Sequence, residues 1–197
     1  MTEPKLAPPG AGLPKIELTI GRLLFAWRRR KGDRDAFNAR FQHERQAIHA
    51  MAASCNPESG SRRVLIRRAR GMEDSSRYWS VWMVLDHLRI VNGDIARIIE
   101  SLAKGVVPPG TASTARVKPS TGATASVMDE HERICDKLLA TIAAVSDLKT
   151  AAKYAHPWFG PLDAAGWHAL AGGHMGIHRA QLERILDGLR RPDAQGS

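Results

Sequence analysis

Apolar residues along this chain recur mainly at spacings of three and four, the period of an amphipathic α-helix. The strongest pattern continues to about Lys104, and Gly105 ends it. Acidic and hydroxyl residues at 73–76 precede the pattern and predict the helix start, because carboxylates and hydroxyls accept hydrogen bonds from the first amides of a helix. The predicted buried face consists of Trp79, Trp82, Met83, Val84, Leu85, Leu88, Val91, Ile95, Ile98, Ile99 and Leu102.

Three further segments show the same period and predict the other helices of a bundle. They cover about 33–54, 126–145 and 163–191, with Ser126 and Asp163 as N-terminal caps of the last two. Runs of alternating β-branched residues bounded by tight turns are missing, so strands are not expected to dominate. The predicted fold class is therefore all-α, a four-helix bundle.

A long polar segment at 106–125, rich in Gly, Pro, Ser, Thr and Ala, separates the second and third predicted helices. Twenty residues without helical period are unusually many for a connection in a compact domain. Such a length is required when two neighbouring helices run parallel, because the chain must travel back along the whole bundle. The sequence thus predicts a parallel pair.

A shorter apolar stripe near the N-terminus predicts one additional helix, which ends at the basic run 28–31 and Gly32. The favoured interpretation is a helix that caps the bundle, and the alternative is a helix lying on a membrane surface. The stretch has about half the length needed to cross a bilayer, so no transmembrane segment is expected. The stripe consists of Ile16, Ile20, Leu23, Leu24 and Trp27.

The chain has 197 residues, of which 43% are hydrophobic, and this suffices for one core. We expect a flexible tail at 1–15, a single helical domain at 16–191 and a flexible C-terminus at 192–197. Cys55 and Cys135 form no C-x-x-C pair, and no secretory leader is recognised. A reduced, cytoplasmic location is the expectation.

The formal net charge of +9 raises the question of a nucleic acid or anionic lipid partner. The basic segment 62–70 has no interleaved aromatic residues and no helix-turn-helix, zinc-finger or RNA-binding signature around it. A solvated basic face is the favoured interpretation, and a polyanion-binding site is the alternative.

Three histidines are the candidate metal ligands. His174 and His178 lie four residues apart, so a helix would project both rings from one face. This spacing alone is weak evidence, since the chain has eight histidines and a hydrogen-bonded core histidine is the commoner case. His87 lies in the middle of the most apolar helix, where coordination by its ring nitrogen would offset the cost of burial.

Four other residues are candidates for lining the pocket or supporting the ligands: Met83, Asp94, Trp167 and Gln181. Asp94 is also considered as a general base. Exposed polar residues and a core tryptophan explain these positions equally well.

Two stretches resemble the DinB-like (damage-inducible B) superfamily of metal-dependent bacterial proteins. They are W-M-V-L-D-H-L at 82–88 and H-P-W-F-G-P-L-D-A-A-G-W-H-A-L-A-G-G-H-M-G-I-H-R-A-Q-L at 156–182, and the resemblance covers about 71–189. It implies an up-down-down-up bundle in which the second helix supplies one histidine and the fourth supplies two. The implied ligands of one divalent ion are His87, His174 and His178, with nickel or zinc as the first choice and iron, manganese or copper as others.

The resemblance also suggests an activity. Three imidazoles leave coordination positions open, as a catalytic site requires. The superfamily includes thiol-dependent enzymes, so an S-transferase or a hydrolase is expected, acting on a small substrate such as a low-molecular-weight thiol. One alternative is a non-enzymatic metal-binding or stress-response protein with a basic surface for nucleic acid or anionic lipid. Another alternative is a helical bundle whose three histidines bind no metal. Homodimerisation through the bundle faces is a further expectation.

Overall fold

The structure is a computed structural model that describes residues 3–191. Four long helices form a bundle, as predicted, and two small antiparallel hairpins lie at its periphery. The helices are α1 (Lys15–Lys31), α2 (Arg34–Ala53), α3 (Pro57–Ser61), α4 (Val81–Ala103), α5 (Val127–Ala144) and α6 (Ala164–Arg190). The strands are β1 (Val64–Leu65), paired with β2 (Tyr78–Trp79), and β3 (Tyr154–His156), paired with β4 (Gly160–Leu162). None of the helices within residues 3–191 has the length and apolar character needed to cross a bilayer.

Helices α4 and α5 run parallel, as the long connection predicted. Arg89 contacts Glu130 at 3.4 Å near the start of both helices, and the amide of Asn92 lies 3.7 Å from the sulfur of Cys135 one turn further along both. The connection between them, residues 104–126, crosses back over the bundle. Its length therefore serves to return the chain to the end where α4 began.

The other two bundle helices, α2 and α6, also run parallel to each other. Asn38 pairs with His168 at 3.0 Å, and further along both helices Glu44 binds Arg179 at 2.7 Å. At the beginning of α2, Arg34 donates to carbonyl oxygens at the end of α5 and just beyond it, so α2 and α5 are antiparallel. Together these contacts give the up-down-down-up order that the resemblance implied.

The first half of α4 is the most enclosed part of the bundle, since every residue from 81 to 88 is buried. Trp82 is 1% exposed and donates its indole N–H to the carbonyl of Pro57 at 3.1 Å. Gly60 of α3 lies directly against this indole, and a Cβ there would come within 2.3 Å of the ring. The short helix α3 thus closes one side of the core.

The predicted start of α4 is wrong. Ser80 is the N-cap, accepting a hydrogen bond from the amide of Met83 at 3.2 Å, and the helix begins at Val81. Residues 73–76 instead belong to a single 3-10 turn before α4, with Glu73 as the N-cap of this turn. Trp79 lies in β2, opposite Val64 of β1. Pairing with β1 holds this aromatic stretch extended, which a helical period cannot reveal.

Helix capping follows the sequence at α6 but not at α5. Asp163 accepts from the amide of Gly166 at 2.7 Å, as predicted. Ser126 precedes α5, but its side chain forms no capping bond and instead lies 2.9 Å from the hydroxyl of Thr124.

Helix α1 lies on the bundle, but not through its apolar stripe. None of its residues is buried, and the stripe faces solvent. Its opposite face contacts the bundle, where the ring of Phe25 lies 4.6 Å from that of Phe159. The predicted helix therefore lies against the bundle, but it contacts the bundle with the face opposite to the stripe.

The segment preceding α1 packs along the bundle surface. Glu73 accepts hydrogen bonds from the backbone amides of Gly10 and Gly12 at 3.2 and 3.3 Å. The flexibility expected of residues 1–15 stays a prediction, and residues 192–197, expected to be flexible as well, lie outside the described part of the chain.

The basic segment 62–70 is only partly a solvated face. Val64, Ile66 and Ala69 of this segment are buried. Three of its arginines form contacts within the chain: Arg62 with the carbonyl of Leu189, Arg63 with Glu3, and Arg68 with Glu17. Much of its positive charge is therefore used to hold the surface together.

Candidate metal centre

The structure brings the three predicted histidines together in the interior of the bundle. His87 projects from α4 towards His174 and His178 on α6, with 3.2 Å between the Nε2 atoms of His87 and His174. One ring nitrogen from each residue lies within 4.8 Å of the other two. The helical spacing of four places His174 and His178 on one face, and the antiparallel packing of α4 against α6 supplies the third ring.

These distances fit a shared metal ion. Ring nitrogens bind zinc at about 2.0–2.1 Å, so two neighbouring ligand nitrogens lie roughly 3 Å apart. The observed 3.2 Å agrees with that value. The other separations among the three ligand nitrogens are no longer than 4.8 Å, and coordination of one ion would require them to shorten towards the same value.

Two of the rings are oriented by hydrogen bonds at the outer nitrogen. His87 donates its Nδ1 proton to the carbonyl of Val117, and His178 donates its Nδ1 proton to Oε1 of Gln181, both at 2.6 Å. Because Gln181 donates from Nε2 to the carbonyl of Ser76 at 2.7 Å, its oxygen must face His178. With the proton on Nδ1, the lone pair of Nε2 points inward, as metal-binding histidines require.

The third ring is held differently. Within residues 3–191, Nδ1 of His174 is buried and has no hydrogen-bond partner. Without a cation, Nε2 of His174 would have to donate to Nε2 of His87, which would leave this Nδ1 as a buried, unpaired acceptor. A cation between the rings would instead bind the inward lone pairs of all three, with the proton of His174 on Nδ1, an atom that has no partner within residues 3–191 in either case.

Burial keeps all three imidazoles neutral. It lowers the pKa of His87 to about 4, against a weaker opposing effect of the Val117 hydrogen bond. Burial, reinforced by the neighbouring histidines, holds the pKa of His174 and of His178 well below the usual 6.5. Neutral imidazole is the form that coordinates metals.

Trp79 packs beside the three histidines, although the sequence pattern did not predict it to be part of the site. Its ring is stacked on that of His178, 6.1 Å between centroids and 5° between planes, and is tilted towards His87 at 5.2 Å. The ammonium of Lys118 lies 5.4 Å from the same indole. The helical period assigned Trp79 to α4, whereas its place in β2 brings it over the histidines.

A cavity of about 530 Å³ opens above the histidines. Its walls come from α4 and α6, from the β3–β4 hairpin and from the connection 104–126. Apolar and aromatic side chains form much of the wall, among them Val91, Ile95, Ile98, Tyr154, Trp158 and Leu170, and charged residues such as Asp94, Arg97, Arg116 and Lys118 also line it. This size and lining are typical of sites for small molecules.

The four predicted accessory residues occupy different places. Trp167 lines the cavity and donates its indole N–H to the carbonyl of Tyr154 at 3.2 Å. Asp94 also lines the cavity but pairs with Arg97. Gln181 orients His178, as described above. Met83 is 3% exposed within the core. Their contribution to any chemistry stays a prediction.

The long connection supplies residues that sequence reasoning missed. Val117 binds His87, and the neighbouring Asp86 accepts from the amide of Ser120 at 2.8 Å, which ties this part of the connection to α4. Lys118 points into the same region and contacts Glu73 at 3.4 Å. The connection has no helical period, so the sequence carried no signal for these contacts.

A four-helix bundle with a histidine from one helix and a histidine pair from another defines the class of protein described here. The DinB superfamily matches residues 40–182, and the chain belongs to that superfamily. The chain is also similar to the crystal structure of TT2238, a four-helix bundle protein, with a TM-score of 0.56. The two sequences are 23% identical, and the match covers 76% of this chain and 97% of TT2238. This likeness concerns the fold alone. No curated protein matches the sequence.

Proposed function

We propose that this chain is a metal-dependent enzyme in which His87, His174 and His178 hold one divalent ion. Zinc or nickel suits an all-imidazole ligand set, and iron, manganese and copper are further choices. The observation that carries the proposal is the convergence of three neutral imidazoles at the base of an apolar cavity. Membership of the DinB superfamily agrees with it.

The chain's own residues prepare this site. Val117 and Gln181 hold the outer protons of two rings and thereby direct the inner nitrogens to a common point. When bound, the ion would supply a Lewis acid with open positions that lowers the pKa of a water or a thiol. The cavity above the histidines has the size to receive a small substrate, and its walls would orient that substrate against the open position.

In the reaction we propose, a thiol or a water activated in this cavity would lose its proton and attack an electrophilic substrate, and the bond between the attacked atom and its leaving group would break as the new bond forms. A thiol-dependent S-transferase is the first choice, with a low-molecular-weight thiol as one substrate, and a hydrolase is the second. Lys118 supplies a positive charge beside the histidines, where Glu73 partly neutralises it. A small substrate that carries a negative group would meet this ammonium.

Elemental analysis of the purified protein tests the metal site. Wild type should contain close to one divalent ion per chain, and His87→Ala or His174→Ala should lose most of it while the fold persists. His156→Ala is the matched control, because His156 lines the same cavity outside the cluster and should not change the metal content. If wild type and the variant with all three histidines replaced by alanine contain the same amount of metal, the three histidines of this bundle do not bind a metal ion.

An activity assay separates an enzyme from a non-enzymatic metal-binding protein. The loaded protein is incubated with a low-molecular-weight thiol and an electrophilic acceptor, and thiol consumption is followed. Turnover that requires both metal and the three histidines supports an S-transferase. Metal binding without turnover on thiol or ester substrates would favour the non-enzymatic alternative.

A further inference from the structure

Helix α1 presents an apolar surface that the bundle does not cover. Its five large apolar side chains recur at spacings of three and four, so they share one face of the helix. Each is at least half exposed: Ile16 78%, Ile20 52%, Leu23 67%, Leu24 50% and Trp27 60%. Isolated exposed apolar residues are common on proteins, but a continuous stripe of this kind marks an interaction surface.

The opposite face of α1 is anchored, so the outward direction of the stripe is built into the fold. Arg29 binds Asp163 at 2.7 Å, and Arg22 donates to the carbonyl of Trp158 at 2.6 Å. Glu17 accepts from Arg68 and from the amide of Gly71. Arg22 and Arg29 lie on the face opposite to the stripe and Glu17 lies at its side, so these contacts hold α1 against the bundle from its first turn to its last.

The free surface of α1 carries positive charge and no free negative charge. Its last turn contains Arg28, Arg30 and Lys31, which are exposed. At 100° per residue, Arg30 and Lys31 flank the apolar stripe beside Trp27. The acidic residue of the helix, Glu17, is engaged with Arg68. The surface thus combines an apolar strip, an aromatic residue and a cationic end.

We propose that α1 binds in the plane of an anionic lipid bilayer, with its stripe in the boundary between headgroups and acyl chains. The acyl chains would cover the apolar side chains, lipid phosphates would pair with the cations, and Trp27 would lie at the interface between them. The 17 residues of the helix extend for roughly 25 Å, which suits a helix lying on the surface. This partner satisfies both the apolar and the charged part of the surface.

A second copy of the chain fits this surface less well. Two α1 helices packed in parallel would place both cationic ends together. An antiparallel pair would place each cationic end opposite Lys15 of the other copy, and the carboxylate of α1, Glu17, is already paired with Arg68. Like charges in such positions oppose association.

Vesicle flotation with the full chain tests the proposal. The protein is mixed at low salt with vesicles of phosphatidylglycerol and phosphatidylcholine, or of phosphatidylcholine alone. We expect binding to the anionic vesicles and loss of binding as salt is raised. Combined Arg28→Gln, Arg30→Gln and Lys31→Gln should weaken binding about five-fold per charge removed. Leu23→Ser should weaken it roughly ten-fold or more.

Matched controls remove residues of the same type elsewhere. Arg133→Gln with Lys137→Gln changes exposed cations on α5, and Val106→Ser with Val107→Ser changes apolar residues that are 56% and 53% exposed. Both controls should float like wild type, and circular dichroism should show an unchanged helix content in every variant.

Three outcomes would overturn the proposal. The first is absence of binding to anionic vesicles at low salt, and the second is an equal loss of binding in the control variants. The third is a dimer, seen by light scattering, that Leu23→Ser abolishes, since the stripe would then be covered by a second copy. Metal content plays no part in this experiment, so its result is independent of the proposed function.

Discussion

Acid should destabilise this protein partly because of His168, a buried histidine that does not belong to the metal cluster. His168 is 1% exposed on α6, and its Nε2 donates to Oδ1 of Asn38 at 3.0 Å. Burial, reinforced by the positive charge of Arg34, lowers its pKa from the usual 6.5 to about 4. The folded protein therefore holds this ring neutral at pH values where the unfolded chain would protonate it.

The sign and size of the effect follow from that difference. Above pH 6.5 neither state binds the proton, and the stability is complete. As the pH falls from 6.5 towards 4, the unfolded state gains a proton that the folded state does not, so the free energy of unfolding decreases. For a pKa near 4 in the folded state, the loss is about 2 kcal/mol by pH 5 and about 3 kcal/mol by pH 4.

Urea unfolding of wild type and His168→Gln measures this contribution. Glutamine does not titrate, and its amide can still donate to Asn38, so the variant removes the ionisation and keeps the hydrogen bond. We expect the decrease in unfolding free energy between pH 7 and pH 5 to be about 2 kcal/mol smaller in the variant. A chelator is present throughout, so that the three clustered histidines contribute equally to both proteins.

His43→Gln is the control, because it makes the same replacement at an exposed histidine of α2 that does not contact Asn38. The reasoning is refuted if wild type and His168→Gln lose the same stability between pH 7 and pH 5. An NMR titration in which His168 of the folded protein gains its proton near pH 6.5 would refute the reasoning directly.

Three further substitutions test other contacts. Gly60→Ala places a methyl group within 2.3 Å of the Trp82 indole, so overpacking should cost about 1–3 kcal/mol and lower the melting temperature, whereas Gly173→Ala meets no atom within 4 Å and should not. Gln181→Leu removes the acceptor of the His178 Nδ1 proton and should weaken metal affinity about 10–100-fold in a competition titration with a chelator. Arg34→Ala removes hydrogen bonds to three carbonyls at the end of α5 and should cost about 1–3 kcal/mol in urea unfolding; an unchanged midpoint would contradict this.

Local sequence patterns were sufficient to predict the bundle and two of the candidate ligands. The helical period of α4 and α6, the cap at Asp163 and the length of the connection 104–126 are local properties, and each predicted its element. The pair His174 and His178 follows from helical spacing in the same way. The family resemblance then connected His87 to that pair across the bundle.

Contacts between segments far apart in the chain complete the site, and the sequence did not predict them. Val117 and Trp79 reach the histidines because a connection without helical period folds back over α4 and because two short strands pair. The direction of the α1 stripe was likewise decided by ion pairs with Arg68 and Asp163, distant residues in the chain. Helical period records which residues share a face, but it does not record which partner, if any, that face meets, because such contacts join segments far apart in sequence.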